Sequence, residues 1–123
     1  MGAGSGRVLV VDDEALVAFD LADIVERTGR EVIGPAVSIA QAHRVTEAAV
    51  PDVALLDIDV RGELVWELAR NLRQKGCIPI FVSANPRPRD LPEFGDCIFL
   101  SKPAGGDEVR AALDRAFAER GAG

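Results

Sequence analysis

The chain has 123 residues, a formal net charge of −6 at pH 7 and a pI near 4.7. This is the length of one domain that buries about two-thirds of its unfolded surface, and the acidic balance argues against a nucleic-acid surface. No apolar stretch approaches the roughly 20 residues of a membrane span, and the amino terminus lacks the apolar core of a signal peptide. We therefore expect a cytoplasmic protein that contacts neither DNA nor membrane, with a disordered segment over residues 1–6 and one domain over residues 7–120.

Strand and helix patterns alternate in the first half of the chain. The predicted order is a strand over Arg7 to Val11, a helix over about Glu14 to Thr28, a short strand over Glu31 to Gly34, a helix over Ser38 to about Ala48, and a strand over Val53 to Leu56. The last strand is uniformly apolar, as a central parallel strand covered on both faces should be.

The second half continues the alternation with one irregular part. A third helix is expected to bury a stripe made by Leu64, Val65, Leu68 and Leu72. A fourth strand over Ile78 to Val82, a fifth over Asp96 to Leu100 and a last helix after Gly105-Gly106-Asp107 complete the pattern. Between the two strands, Asn85 to Phe94 contains three prolines, which remove backbone donors and disfavour helix, so we expect at most one helical turn there.

These elements predict an α/β fold with three layers. Parallel strands need long, right-handed crossovers, which usually contain a helix. The predicted architecture is a doubly wound sheet of five parallel strands, with the fourth helix short or missing. Cys77 and Cys97 each stand where a strand should begin. We expect both thiols to be reduced, because structural disulfides are rare in a cytoplasmic chain.

Four of the five apolar strands end in polar residues that suit one site. Asp12 and Asp13 follow the first strand, Asp57 the third, Ser83 the fourth and Lys102 the fifth. The carboxyl ends of parallel strands are where ligands bind in such folds. Three carboxylates, a hydroxyl and an ammonium suit a divalent cation and a phosphoryl group.

In this arrangement the chain resembles a response-regulator receiver domain from Val8 to about Ala118. The resemblance rests on the acidic pair, the later aspartate, the hydroxyl residue and the Lys102-Pro103 pair, each following its own strand in order. It implies the flavodoxin-like strand order 2-1-3-4-5. It further implies a phosphoprotein of two-component or phosphorelay signal transduction that catalyses only its own phosphorylation and dephosphorylation.

The resemblance also implies a role for each site residue. Asp57 is expected to accept a phosphoryl group from phosphohistidine as an aspartyl phosphate, with Lys102 paired to it before and to the phosphoryl group afterwards. Mg²⁺, or Mn²⁺ in its place, is expected to bind Asp13, Asp57 and the backbone carbonyl of Asp59, with Asp12 acting through a water. Ser83 and Phe99 are expected to form the switch, in which the hydroxyl swings toward the phosphoryl group and the aromatic ring turns inward.

Two segments depart from the family pattern. The loop Ile58-Asp59-Val60-Arg61-Gly62-Glu63 lacks the proline and the longer turn that many receivers have, and Asp59 adds a carboxylate. The proline-rich segment stands where the family has its fourth helix, which puts the usual output and dimerisation surface in doubt. We expect this segment to be mobile until phosphorylation of Asp57 draws Ser83 and Ala84 inward and orders it.

Two other functions compete with the phospho-acceptor. Leu55-Leu56-Asp57-Ile58-Asp59 resembles the Asp-x-Asp motif of haloacid-dehalogenase-type phosphatases, but here the acidic pair precedes this motif instead of following the lysine. The second alternative is a pseudo-receiver that binds partners without phosphorylation. The implied partners are a histidine kinase or histidine phosphotransfer protein and a downstream protein target. The sequence leaves open their identity, a homodimer, and whether the domain stands alone.

Overall fold

The computed structural model describes residues 6–84 and 92–122. The strands are β1 (Arg7–Val11), β2 (Glu31–Ala36), β3 (Val53–Leu56), β4 (Asp59–Val60), β5 (Glu63–Leu64), β6 (Ile78–Ser83) and β7 (Ile98–Ser101). The helices are α1 (Ala15–Arg27), α2 (Ile39–Ala48), α3 (Trp66–Gln74) and α4 (Gly106–Ala122), and a 3₁₀ turn spans Pro92–Phe94. Among the described residues, no helix is both long and apolar enough to cross a membrane.

Five strands form one parallel sheet in the order β2-β1-β3-β6-β7. Because β6 and β7 are the fourth and fifth strands of this sheet along the chain, the predicted order 2-1-3-4-5 is confirmed. The two strands that border β3 are paired with it in continuous register, Val8 opposite Val53 and Val53 opposite Ile78. The acidic residues that follow β1 and β3 therefore emerge side by side.

The core lies on both faces of this sheet, as the predicted three-layer fold requires. Alternate residues of each strand face opposite sides. Leu9 and Leu56 pack with α2 and α3, whereas Val10 and Leu55 pack with α1 and α4. All four strand residues are fully buried. Burial on both faces explains why β3 reads as an uninterrupted apolar run.

The helix that the resemblance places before the last sheet strand, and that the sequence predicts to be short or missing, is absent from the described residues. Pro92–Phe94 forms a single 3₁₀ turn, in agreement with the expectation of at most one helical turn, and residues 85–91 of the proline-rich segment lie outside the described residues. Phe94 is completely buried against Trp66 and Phe81. This turn thus contributes an aromatic side chain to the core.

The prediction that Leu64 belongs to the buried stripe of the third helix is wrong. Leu64 is 60% exposed and lies in β5, which pairs antiparallel with β4, and α3 begins only at Trp66. The hairpin has a two-residue loop, Arg61 and Gly62, both with positive φ. Because Leu64 pairs with Asp59 in this hairpin, it is a strand residue, and the helix begins after it.

Candidate phospho-acceptor site

The carboxyl edge of the sheet carries every strand-end polar residue that the sequence singled out. Asp12 directly follows β1, Asp57 follows β3, Ser83 ends β6, and Lys102 follows β7. Asp12, Asp57 and Ser83 are buried, and the Lys102 backbone N–H donates to the Ser83 carbonyl at 3.0 Å. The parallel order brings these chain segments together because adjacent strands end at the same edge.

Three carboxylates converge at this edge. Asp12, Asp13 and Asp57 each offer one oxygen within a group whose atoms all lie within 4.8 Å of one another. Each carboxylate accepts a hydrogen bond from a backbone N–H: Asp12 Oδ1 from Glu14 at 2.9 Å, Asp13 Oδ2 from Arg61 at 2.8 Å, and Asp57 Oδ1 from Ile58 at 2.8 Å. The backbone therefore fixes the orientation of all three groups.

Lys102 partly neutralises these charges. Its Nζ lies 2.8 Å from Asp12 Oδ2, 3.0 Å from Asp57 Oδ2 and 3.4 Å from Glu14 Oε1. Burial lowers the pKa of Lys102, but its hydrogen bonds to Asp12 and Asp57 outweigh this effect and raise the pKa above the usual lysine value. Lys102 therefore stays charged and ready to meet an anion.

The donor set fits a hard divalent cation. Burial raises the pKa of Asp12 above its ordinary value, although the hydrogen bond from Lys102 opposes this shift. Asp12 Oδ2 is buried and pairs with the Lys102 ammonium at 2.8 Å. A buried carboxylate beside two further carboxylates suits Mg²⁺, which prefers oxygen ligands.

The carboxylate of Asp59 does not belong to this group of three. It is exposed, and its Oδ1 accepts a hydrogen bond from the Gly62 backbone N–H at 2.8 Å, within its own hairpin. The expectation that Asp59 adds a carboxylate near the metal therefore receives no support from the structure. The role of its backbone carbonyl as a ligand stays a prediction.

The two expected switch residues lie on neighbouring strands. Ser83 is buried at the end of β6, and Phe99 is half-buried on β7, opposite Phe81. The Phe99 ring stacks on that of Phe81 with centroids 5.0 Å apart. Phe81 also contacts Trp66 and Phe94, so that the four rings form one aromatic cluster.

Two contacts at the site were missed in the sequence. Glu14 forms an ion pair with Lys102, and the Arg61 backbone N–H donates a hydrogen bond to Asp13. The first had a signal, because Glu14 directly follows the acidic pair at a strand end. The second depends on the loop conformation of the hairpin, for which an Arg-Gly pair is a weaker signal than Asn-Gly.

A doubly wound sheet with three aspartates and a lysine at its carboxyl edge defines a receiver-type domain. The sequence matches the family described as "Response regulator receiver domain" over residues 8–114. The chain therefore belongs to the response-regulator receiver family, whose members act in two-component signal transduction. The resemblance inferred from the strand-end residues is confirmed.

Named relatives agree with this assignment. The transcriptional regulatory protein PdtaR of Mycobacterium tuberculosis is 30% identical over 114 residues, which are 89% of this chain and 56% of PdtaR. The sensory transduction protein LytT of Bacillus subtilis is 37% identical over 113 residues, which are 89% of this chain and 47% of LytT. The chain thus spans about half the length of the curated relatives it matches.

Solved structures share the fold. The receiver domain of PhyR from Erythrobacter litoralis superposes with a TM-score of 0.81 at 24% identity, covering 96% of this chain and 94% of that domain. PhyR from Brucella abortus gives a TM-score of 0.79 at 28% identity and covers 96% of this chain and 50% of that protein. The predicted fold class is confirmed by both.

Proposed function

We propose that the chain is a phospho-acceptor receiver and that Asp57 is the residue phosphorylated. The observation that carries the proposal is the position of Asp57 at the end of the central strand, between the acidic pair and Lys102. Its Oδ1 accepts the Ile58 N–H, and its Oδ2 accepts from Lys102 at 3.0 Å. A carboxylate is a weak nucleophile, so fixed orientation and nearby positive charge are what the protein must supply.

The transfer forms one bond and breaks one. An oxygen of Asp57 attacks the phosphorus of a phosphohistidine, the P–N bond breaks, and its electron pair returns to the imidazole. Lys102 leaves the carboxylate for the oxygens of the transferred group, where its charge offsets theirs. Because its pKa is raised, it carries that charge at every physiological pH.

Asp13, Asp57 and the backbone carbonyl of Asp59 are the groups that would hold Mg²⁺, or Mn²⁺ in its place, with Asp12 acting through a water. When bound, the cation would neutralise charge on the phosphoryl oxygens. The burial of Asp12 and the three carboxylate oxygens that lie within 4.8 Å of one another support this assignment.

The switch proposed for this domain joins Ser83 to Phe99. The Ser83 hydroxyl moves to a phosphoryl oxygen, and Phe99 turns from its stack on Phe81 into the vacated space. The neighbouring positions of the two residues on β6 and β7 support this coupling. A histidine kinase or histidine phosphotransfer protein is the proposed donor, and a protein target receives the output; dimerisation of the domain is compatible with this scheme.

Family membership and the acidic pair that follows β1 favour the receiver over the phosphatase alternative. The pseudo-receiver alternative is distinguished by experiment. The chain is incubated with phosphoramidate and Mg²⁺, and protein-bound phosphate is followed by mass spectrometry and by its sensitivity to hydroxylamine. The matched variants are Asp57→Asn and Asp96→Asn; Asp96 is an exposed aspartate outside the acidic group.

We expect one hydroxylamine-sensitive phosphate per chain in the parent and in Asp96→Asn, and none in Asp57→Asn. Undiminished label in Asp57→Asn would overturn the assignment of this residue. Rapid release of phosphate without a stable adduct would favour a phosphatase. No label in the parent chain would favour a pseudo-receiver.

A further inference from the structure

The hairpin formed by β4 and β5 is a feature that the receiver assignment does not use. One residue, Ile58, separates the hairpin from Asp57, and one residue, Val65, separates it from α3. The Val65 N–H donates to the Ile58 carbonyl at 2.9 Å and closes the base of the hairpin. Val60 and Val65 are buried in the core. The loop itself, Arg61 and Gly62, is exposed beside the acidic group.

The loop has an unusual backbone. Val60 pairs with Glu63, so that two residues make the whole turn. Arg61 has φ of 56° and Gly62 has φ of 83°, as a type I′ turn requires. An arginine in this left-handed region is strained, because the side chain crowds the backbone there. Among described non-glycine residues, Arg61 alone adopts a positive φ.

The strained loop points its backbone N–H groups at two acidic residues. The Arg61 N–H donates to Asp13 Oδ2 and the Gly62 N–H to Asp59 Oδ1, both at 2.8 Å. Asp13 differs from Asp12 and Asp57 in lacking an ion pair with Lys102 among the described residues. The hydrogen bond from Arg61 therefore has a larger part in fixing the Asp13 carboxylate than any single contact has at the other two.

We propose that the Arg61-Gly62 turn positions Asp13 for the metal, and that formation of this turn sets the Mg²⁺ affinity. The proposal rests on the proposed function, since it assigns the metal to the acidic group. Arg61 and Gly62 act through Asp13 and are positioning residues. Groups that orient metal ligands typically change metal affinity by about 10- to 100-fold when they are removed.

The size of the hairpin makes this control effective. A hairpin of two residues per strand has few backbone bonds, and isolated hairpins are marginal. Extra strain in the loop therefore lowers the fraction of molecules in which the turn is formed. The apparent affinity for a ligand falls with the fraction of the competent state.

The test is isothermal titration calorimetry of Mg²⁺ into the full chain and three variants. Gly62→Val places a branched side chain at a positive φ, in a position where an added Cβ meets no atom within 4 Å, so it adds backbone strain without a clash. Gly29→Val is the matched control, because Gly29 has φ of 87° and the same open surroundings but follows α1, at the opposite edge of the sheet. Arg61→Asn replaces the strained residue by one that tolerates this conformation.

We expect Gly62→Val to weaken Mg²⁺ binding by about tenfold, Gly29→Val to leave it unchanged, and Arg61→Asn to preserve or tighten it. Circular dichroism checks that each variant is folded. Parent-like affinity in folded Gly62→Val, or equal weakening in Gly29→Val, would overturn the proposal. Weakening by Arg61→Asn would also overturn it, because the side chain and not the turn would then be responsible. Failure of the parent to bind Mg²⁺ would instead count against the proposed function.

Discussion

Lys102 governs the charge balance at the acidic edge. Among the described residues, Lys102 pairs with Asp12, Asp57 and Glu14, and Asp13 adds a further carboxylate, so that negative charge remains in excess before a cation arrives. Like charges held this close raise the free energy of the folded state, and an opposite charge among them lowers it. Lysine and divalent cation therefore partly substitute for one another in stabilising the fold.

Removal of this ammonium is expected to cost stability mainly in the absence of metal. Lys102→Met should lower the free energy of unfolding by about 2 kcal/mol, since hydrogen bonds to two carboxylates are lost. Saturating Mg²⁺ should recover most of the loss by neutralising the same groups. Chemical unfolding with and without Mg²⁺ measures both values, and an equal loss in the two conditions would show that Lys102 acts through packing alone.

The cysteines should react slowly and in a fixed order. Burial raises the pKa of Cys77 to about 12 and also raises that of Cys97, which is only half-buried. Both thiols therefore stay protonated near neutral pH, and alkylation should accelerate as the pH rises toward their pKa values. Iodoacetamide labelling with peptide mapping should modify Cys97 before Cys77, and preferential labelling of Cys77 would contradict the burial argument.

The sequence predicted the strand-end residues well and the hairpin poorly. Asp12, Asp57, Ser83 and Lys102 could be placed because a parallel sheet forces all its strand ends to one edge. Both cysteines are free; Cys77 lies three residues before Ile80, whereas Cys97 lies one residue before Ile98, the residue paired with Ile80. The contact of Arg61 with Asp13 and the exposure of Leu64 depend on two backbone conformations that apolar periodicity does not encode.

At the level of elements, the 3₁₀ turn is attached to α3 by charged and aromatic contacts. The Arg70 guanidinium donates to both carboxylate oxygens of Glu93, at 2.8–3.1 Å, and Arg73 donates to the Glu93 carbonyl at 2.7 Å. Arg73 also lies over the Phe94 ring, 5.3 Å from its centroid. These contacts fix the segment that enters β7, the strand that carries Phe99.

The Glu93 contact predicts a pH-dependent stability. The hydrogen bond from Arg70 lowers the pKa of Glu93 in the folded protein. The contribution of this hydrogen bond to the free energy of unfolding is therefore present above the pKa that Glu93 has in the unfolded state. It is lost as the pH falls through the lower pKa of the folded state. Glu93→Gln should lower the melting temperature slightly at pH 7 and converge with the parent in acid.

The matched control for this experiment is Glu26→Gln, at an exposed position of α1. Phe94→Ala gives the scale, because loss of a fully buried phenylalanine should cost about 3–5 kcal/mol at any pH. Thermal melts between pH 3 and pH 7 compare the variants. If the melting temperature of Glu93→Gln stayed below that of the parent by the same amount at every pH, the contact would stabilise the fold through packing and not through charge.

At the scale of the whole molecule, the acidic edge and the net charge should respond differently to added salt. The net charge of −6 responds to any salt through screening, whereas the three-carboxylate group should respond only to a cation that its oxygens can hold. The two effects can be separated by comparing Mg²⁺ with NaCl at the same ionic strength.

We expect Mg²⁺ to raise the melting temperature well beyond NaCl, because a ligand at 100 times its Kd stabilises the folded state by about 2.7 kcal/mol. EDTA should reverse the shift. Asp13→Asn should lose most of this gain yet keep or raise the metal-free melting temperature, since one like charge is removed while the amide oxygen still accepts from Arg61. A large metal-free loss in Asp13→Asn would mean that Asp13 holds the fold together; equal shifts with Mg²⁺ and NaCl would mean that the cation acts on the surface charge and not on the acidic edge.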